Sequence, residues 1–525
     1  MIRRTSVICL IGFAFLIGGQ SATAFEHEES LVEFVEYSDD VISRNKHQNK
    51  PYFLLFSAEW CHWCHEFAHQ TLTRQDVADA LNDSFVNVFI DADIHSSAYV
   101  KYRATGLPFT IFLNPDGSLY YKYTGTLYGD NFLNVVAEVV AGVGVGKYAI
   151  GMESSHVSYT APDRLDQAAL QVMADTFRQG LLENFDQQEF GLGRDRKGIL
   201  PRSFDYLLET ASGDERDEVI TQLNQTLNRA IQRIYDPIEG GFFRYAETRN
   251  WQIPHYEKFA DLNAGAILLL YRLNAIAPDP ELKQAADLTL EYLMTTLYDK
   301  QTGCYLSFQI ADTYYYSLSQ DRRDNAREPK VMDKIFTDRL AVTLTSLIQV
   351  AGLTENPALH NQIHRSLDFL GAMIQAEGGL KRFYEVPRGE WSRQSGLADH
   401  AYLARLYVEA ANYFDQPQYA DIAAEILLAA VGDYYDRDLG IFIDPSVDDS
   451  SNVEYLMEMN AMLALSVMGL GDRLNPGGAK IVASITQYFS QMIDPLEERL
   501  WNASEWEFAE SYVPLLRVVD RYLKL

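Results

Sequence analysis

The sequence predicts a two-part chain, a small mixed α/β unit followed by an all-helical domain of six hairpins. Three observations predict it. Between residues 29 and 140, short apolar runs such as Tyr52-Phe53-Leu54-Leu55-Phe56 alternate with stretches of helical spacing. Beyond residue 162, about twelve successive segments carry the i, i+3, i+4 apolar spacing of helices. Alternate connections between those segments repeat one plan, an acid, a glycine turn and then an aromatic or apolar residue. It reads Asp186…Phe190-Gly191, Asp236…Gly240-Gly241-Phe242, Asp299…Gly303-Cys304-Tyr305, Glu377-Gly378-Gly379-Leu380, Asp436…Gly440-Ile441-Phe442 and, more loosely, Asp494…Leu500-Trp501. Six such turns imply six helical hairpins. A hairpin cannot bury its apolar face alone, so neighbours stack, as an open solenoid or a closed ring.

The first residues read as an export signal. Arg3 and Arg4 supply positive charge, residues 7–17 are apolar, and Ala22-Thr23-Ala24 offers small residues for cleavage before Phe25. The domain plan is therefore a signal peptide over 1–24, the α/β unit over 25–141, a Gly-rich linker over 142–162 and the helical domain over 163–525. A periplasmic or secreted protein is expected, with no integral membrane segment after signal removal. A formal net charge of −29 argues against nucleic acid as a partner. Four cysteines, of which Cys9 lies in the signal, are too few for a structural disulfide framework in 525 residues, so packed cores supply the stability.

Within the α/β unit, a helix-like run reaches Ser43, residues 52–56 form a strand, residues 76–81 a helix, residues 85–90 a second strand and residues 99–102 a helix. Gly106-Leu107-Pro108 turns into a strand over 109–113, and Asn114-Pro115-Asp116-Gly117 marks a hairpin before residues 119–123. The first of these strands runs into Trp60-Cys61-His62-Trp63-Cys64, two thiols three positions apart at a strand-to-helix junction. At a helix N-terminus, unpaired N–H groups and the positive end of the macrodipole favour a thiolate. Cys61 is thus the predicted accessible nucleophile, and Cys64, one turn deeper, the resolving thiol. His62 between them favours the Cys61 thiolate and hence a more oxidising pair. Proton transfer to Cys64 would fall to Glu59 or water.

This segment resembles the thioredoxin fold through Ala58-Glu59-Trp60-Cys61 and the later Thr105-Gly106-Leu107-Pro108. The resemblance implies a cis peptide bond at Pro108, in a loop packed beside the disulfide. A second resemblance rests on Ile234-Tyr235-Asp236-Pro237-Ile238-Glu239-Gly240-Gly241-Phe242 and Trp251-Gln252-Ile253-Pro254-His255-Tyr256-Glu257-Lys258. These are similar to the family of spermatogenesis-associated protein 20 and its bacterial thioredoxin-domain relatives. That family implies an α/β thioredoxin-like domain followed by an all-α (α/α)6 six-hairpin toroid, similar to glycosidases and sugar epimerases. The chain departs from it at Asp333-Lys334…Thr337-Asp338-Arg339-Leu340, where a Trp-Asn-Gly string is usual, and at Phe190-Gly191-Leu192-Gly193-Arg194, where Pro-Lys-Phe-Pro is usual.

The string Cys61-His62-Trp63-Cys64-His65 also spells a c-type haem attachment site, but haem attachment requires neither the preceding strand nor the Gly-x-Pro loop. No cofactor and no metal are expected. Trp60 and Trp63 either line a docking surface for a protein client or pack internally. In the helical domain, Trp251, His255, Glu257, Lys258 and Asp261 gather near one helix start, and Asp399 begins another beside His400. In a toroid such groups can face a central cavity for acid/base work on a carbohydrate; alternatively they cap helices and form ion pairs. His360 and His364 lie on a solvated face, and Cys304 is a packing residue. The expected function is thiol–disulfide exchange with a protein client or redox partner. The alternatives are a carbohydrate hydrolase or epimerase with an accessory α/β unit, and a non-catalytic client-binding protein.

Overall fold

The computed structural model describes residues 30–142, 167–376, 378–445, 453–471, 477–490 and 508–524. The expected signal peptide, the linker beyond Gly142, which itself ends a helix, and the sixth repeat turn at 494–501 lie outside the described residues.

The first unit is a five-stranded sheet of order β1(Phe34–Glu36), β3(Val86–Asp91), β2(Tyr52–Ser57), β4(Phe109–Leu113) and β5(Leu119–Thr124). β1 and β2 run parallel to β3, whereas β4 is antiparallel to both β2 and β5. Central β2 is buried on both faces, which is why its sequence is a continuous apolar run and not an alternation. Phe53 and Leu55 pack to one side with Phe67, Leu81, Phe112 and Phe132. Tyr52, Leu54 and Phe56 pack to the other with Val41, Ala98 and Ile111. The five helices covering the sheet are α1(Val41–Asn45), α2(His62–Phe67), α3(Gln75–Ser84), α4(Ser96–Lys101) and α5(Gly129–Gly142). One element was misread from spacing: the helix-like run to Ser43 holds β1. Val32 and Phe34 are buried while Leu31 and Val35 are exposed, a period of two that belongs to a strand.

The helical domain is a closed double ring. Pro201–Thr210, Ala260–Ile276, Thr337–Thr354, Leu397–Phe414, Val453–Leu470 and Phe508–Tyr522 each pack on the next, and the last returns to the first. Outside them lie Gly213–Arg233, Pro280–Thr295, Pro357–Gln375, Pro417–Asp433, Gly477–Ser490 and Gln167–Glu183. Three outer helices begin with proline at the first or second position, where a missing N–H costs nothing. The inner helix Val453–Leu470 is long and apolar enough to cross a membrane by composition, and 61% of that stretch is buried inside the domain.

The repeated turns have one physical plan. The Asp236 carboxylate accepts from Ile238 N at 3.1 Å, Asp299 from Thr302 N at 2.7 Å and Asp436 from Asp438 N at 2.8 Å. The chain then reverses through a left-handed glycine, such as Gly240 at φ +80°. Two repeats add a buried lysine. Lys197 Nζ lies 3.2 Å from Asp186, and Lys258 Nζ 2.8 Å from Asp236 and 2.7 Å from the Gly240 carbonyl.

Not all of this domain is helix. Short strands punctuate the longer connections, including a three-stranded sheet of Lys334–Phe336, Lys381–Glu385 and Glu390–Gln394. These connections meet the α/β unit.

Candidate redox site and the cavity beside it

Buried β2 ends at Ser57, and the chain turns through Ala58 to Trp60 before α2. Cys61 is the N-cap of α2, and its Sγ accepts from Cys64 N at 3.2 Å. The two cysteines form a disulfide with Cα atoms 5.3 Å apart. The Leu107–Pro108 peptide bond is cis, and Leu107 packs against the cluster that holds the cysteines.

Cys61, expected to be accessible, is only 3% exposed, and Cys64 is 5% exposed, so the expected contrast in burial between them is absent. The cause is the helical domain. Phe259, Phe308, Met332, Phe336 and Phe383 share one apolar cluster with Trp60, Cys61 and Cys64. Trp60 is likewise an internal packing residue: its ring meets Phe259 edge-on at 5.0 Å and Phe308 at 6.0 Å. Trp63 remains 41% exposed and meets the His62 ring at 5.2 Å.

Charged groups fasten this contact. Trp60 Nε1 donates to Asp93 Oδ2 at 2.7 Å, and Arg339 reaches Asp93 Oδ1 at 3.4 Å. Arg382 donates to the Asp93 carbonyl through Nε and Nη2, at 3.1 and 3.0 Å, and through Nη1 meets Asp338 at 2.7 Å and Asp399 at 2.6 Å. Burial pushes the Asp93 carboxyl upward against the pull of Arg339. Glu59, a proposed proton carrier, is held by Lys330 and by Lys334 at 3.3 Å. Arg393 pairs with Glu36 at the rim. Asp93, Arg339 and Arg382 were not singled out from the sequence. The departure at Thr337-Asp338-Arg339 was the available signal, since it places charge where the resembling family has Trp-Asn-Gly.

The toroid candidates separate into three groups. Trp251 is fully buried, with Nε1 donating to the Glu189 carbonyl at 2.7 Å, so it cannot stack on a ligand. Lys258 is sealed in its repeat turn beneath Tyr292 and Tyr316, where burial lowers its pKa to about 8 despite Asp236. Asp399 is a structural carboxylate: besides Arg382 it accepts from Gly396 N at 2.8 Å, and burial raises it to about 6. These three are corrections to the cavity assignment, and each is a packing or capping residue that keeps a polar group satisfied.

His255 and Glu257 lie at the domain contact. The His255 ring stacks on Tyr245 at 4.1 Å, binds Glu247 at 2.9 Å and sits 6.5 Å from the Trp63 ring. Burial lowers its pKa against the opposing pull of Glu257, whose Oε2 is 3.9 Å from Nδ1. Glu257 is 1% exposed, and Oε2 has no hydrogen-bond partner among the described residues. Asp261 reaches a cavity. It lines a space of about 310 Å³ at the mouth of the inner ring, together with Arg202, Arg244, Tyr245, Glu458 and Glu510. Phe259 and Leu262 belong both to this wall and to the cluster around the disulfide.

Comparison with known proteins gives the same two parts. Residues 14–138 match the family model Thioredox_DsbH, described as a protein of unknown function, DUF255. Spermatogenesis-associated protein 20 of Mus musculus is 24% identical over 319 residues, which is 55% of this chain and 40% of that protein. The Homo sapiens protein is 24% identical over 320 residues, with the same coverage. The chain spans about two fifths of the length of the curated relatives it matches. Cellobiose 2-epimerase of Spirochaeta thermophila superposes with a TM-score of 0.51 at 14% identity, covering 69% of this chain and 100% of that one. D-Mannose isomerase superposes with a TM-score of 0.50 at 12% identity, covering 70% and 100%. At those identities the likeness shows the fold. The chain therefore joins a thioredoxin-like unit to a six-hairpin toroid and is similar to spermatogenesis-associated protein 20 over 55% of its length.

Proposed function

We propose that this chain is an exported thiol–disulfide oxidoreductase acting through Cys61 and Cys64. The observation that carries the reading is the Cys61–Cys64 disulfide at the start of α2, beside the Leu107–Pro108 loop. A pair that closes within one helical turn can open by attack of an external thiolate on one sulfur, forming a mixed disulfide. Attack on that bond by the second cysteine reverses the step. The helix N-terminus stabilises the thiolate released on Cys61. Equilibrating the intact chain with glutathione redox buffers, then alkylating and weighing it, tests the reading. Reversible two-electron reduction, absent in Cys61→Ser, is the expected result; a pair that never re-forms after reduction removes the enzymatic role.

A second reading has its own observation. Carboxylates from three inner-helix starts, Asp261, Glu458 and Glu510, converge on the cavity of about 310 Å³ beside Tyr245 and Arg202. That arrangement suits a polyhydroxyl ligand, and the likeness in fold to sugar epimerases is compatible with it. Arg202 pairs with Glu458, and Glu510 accepts from Ser203 N at 2.8 Å, so a sugar would compete with bonds already made. A glycan panel read by thermal shift on the wild type and Asp261→Asn tests it. Stabilisation lost in the variant supports carbohydrate binding, and an unresponsive wild type removes it.

A further inference from the structure

A second cavity, of about 120 Å³, lies inside the ring of inner helices. It shares Pro201, Arg202, Gly265, Val342 and Ser346 with the acidic mouth and so adjoins it. The rest of its lining comes from later turns of the same helices, and there the charge reverses. Arg405, Arg517 and Arg521 line it, and Asp205 is the only carboxylate among its described lining residues. Arg405 lies midway along Leu397–Phe414, while Arg517 and Arg521 stand one turn apart towards the end of Phe508–Tyr522.

Counter-charge is scarce at this end. Arg517 Nη2 donates to Asp205 Oδ2 at 2.9 Å and lies 3.1 Å from Glu209, but Arg272 pairs with both of these acids as well. Glu458 is taken by Arg202. Arg405 is left with Glu409, one turn along its own helix, and Arg521 forms no ion pair among the described residues. The three guanidiniums repel one another. Burial, then Arg521 and Arg517, push Arg405 down to about 9, and burial and Arg517 lower Arg521 against the pull of Glu209. A guanidinium ordinarily keeps its proton to above about pH 12, so the pocket is short of negative charge. In a chain of net charge −29 this is a local reversal of sign.

We propose that this end of the bore binds a phosphate group, free or carried as a monoester, between Arg405, Arg517 and Arg521. A tetrahedral dianion offers each planar fork a pair of oxygens and supplies the charge that the three arginines lack. The volume suits one such group, being well below the roughly 300–1,000 Å³ of sites for drug-sized ligands. Arg521, exposed in the last turn of its helix, gives the ligand its entrance.

The test is isothermal titration calorimetry of the full chain at constant ionic strength, with inorganic phosphate and with glucose 6-phosphate. One saturable site is expected. Arg521→Gln alters an exposed side chain and spares the core, and should weaken binding roughly tenfold, the scale of one hydrogen bond to a charged group. Arg405→Gln should weaken it at least as much, and Arg521→Lys should keep part of the affinity. Arg388→Gln, which changes a surface arginine paired with Glu385, should bind as the wild type does. Tighter binding of glucose 6-phosphate than of phosphate, with the same loss in Arg521→Gln, supports the site and identifies a monoester as its ligand; equal affinities with that loss support the site and identify free phosphate. No heat from either ligand on the wild type, or an affinity that Arg521→Gln leaves unchanged, overturns the proposal and leaves the arginines as partners of helix ends and nearby carboxylates.

Discussion

Trp60 and Asp93 form a single buried hydrogen bond, 2.7 Å long, that ties the residue before the Cys61–Cys64 disulfide to the loop after β3. The acceptor is itself held by Arg339 and, through its carbonyl, by Arg382 of the helical domain. The two parts of the chain are therefore joined beside the disulfide.

Replacing Asp93 checks this coupling. Asp93→Ala leaves the Trp60 N–H without an acceptor and removes a counter-charge from Arg339. The expected cost is about 2–4 kcal/mol in denaturant unfolding, with Asp93→Asn costing less because it keeps an acceptor. An effect below about 0.5 kcal/mol for Asp93→Ala, the scale of an ordinary surface substitution, would show that the contact carries no energy.

The buried lysine of the second repeat gives a pH signature. Lys258 titrates at about 8 in the folded chain, below its ordinary value of 10.5, chiefly through burial. Between those values the unfolded chain holds a proton that the folded chain has released, so this group's contribution to stability rises with pH. It is complete above the unfolded pKa and absent below about 8. Lys197 acts in the same direction, and buried tyrosines such as Tyr235, raised to about 12 by burial, act in the opposite one nearer pH 10. Lys258→Met isolates the term, since Arg323 still pairs with Asp236. From pH 8 to 9.5 the wild type should gain on the variant by roughly 1 kcal/mol per pH unit. A constant difference would place the lysine outside this low-dielectric pocket.

His255 reports on Glu257. The carboxylate lies 3.9 Å away and raises the imidazole, although burial prevails and leaves it lowered overall. Glu257→Gln should therefore drop the His255 pKa further, by up to about one unit, in an NMR titration of the ring. A rise, or no movement, means the two side chains do not sense one another.

Much of this fold was legible because local rules decide it. β2 announced itself as a fully apolar run, the repeat turns through an acid and a left-handed glycine, and the disulfide through Cys61 and Cys64 on either side of His62 and Trp63. Legibility failed where long-range contacts decide. Cys61 sits at a helix start, which locally suggests access, yet Phe308 and Met332, hundreds of residues later, cover it. Trp251 and Lys258 lie in a stretch rich in reactive side chains, but Glu189 and Asp236 claim them. Spacing shows which residues are near in sequence and not which are sealed by a neighbouring repeat.

Trp251 is the largest of these sealed side chains. Trp251 fills the space over Gly191, whose φ of +72° and lack of a side chain both matter: an added Cβ would stand 2.7 Å from the indole ring. Trp251→Ala should cost about 3–5 kcal/mol, the range for deleting a large core aromatic. Gly191→Ala should destabilise through the clash and the left-handed backbone together. In a Trp251→Phe background the ring atom nearest Gly191 is gone, so Gly191→Ala should cost less there than in the wild type. A double-mutant cycle on chemical denaturation reads that difference directly. Strict additivity would deny the contact, and with it the argument that Trp251 is occupied with packing. A coupled cycle whose variants also retain wild-type thiol reactivity separates this residue from the chemistry proposed for Cys61.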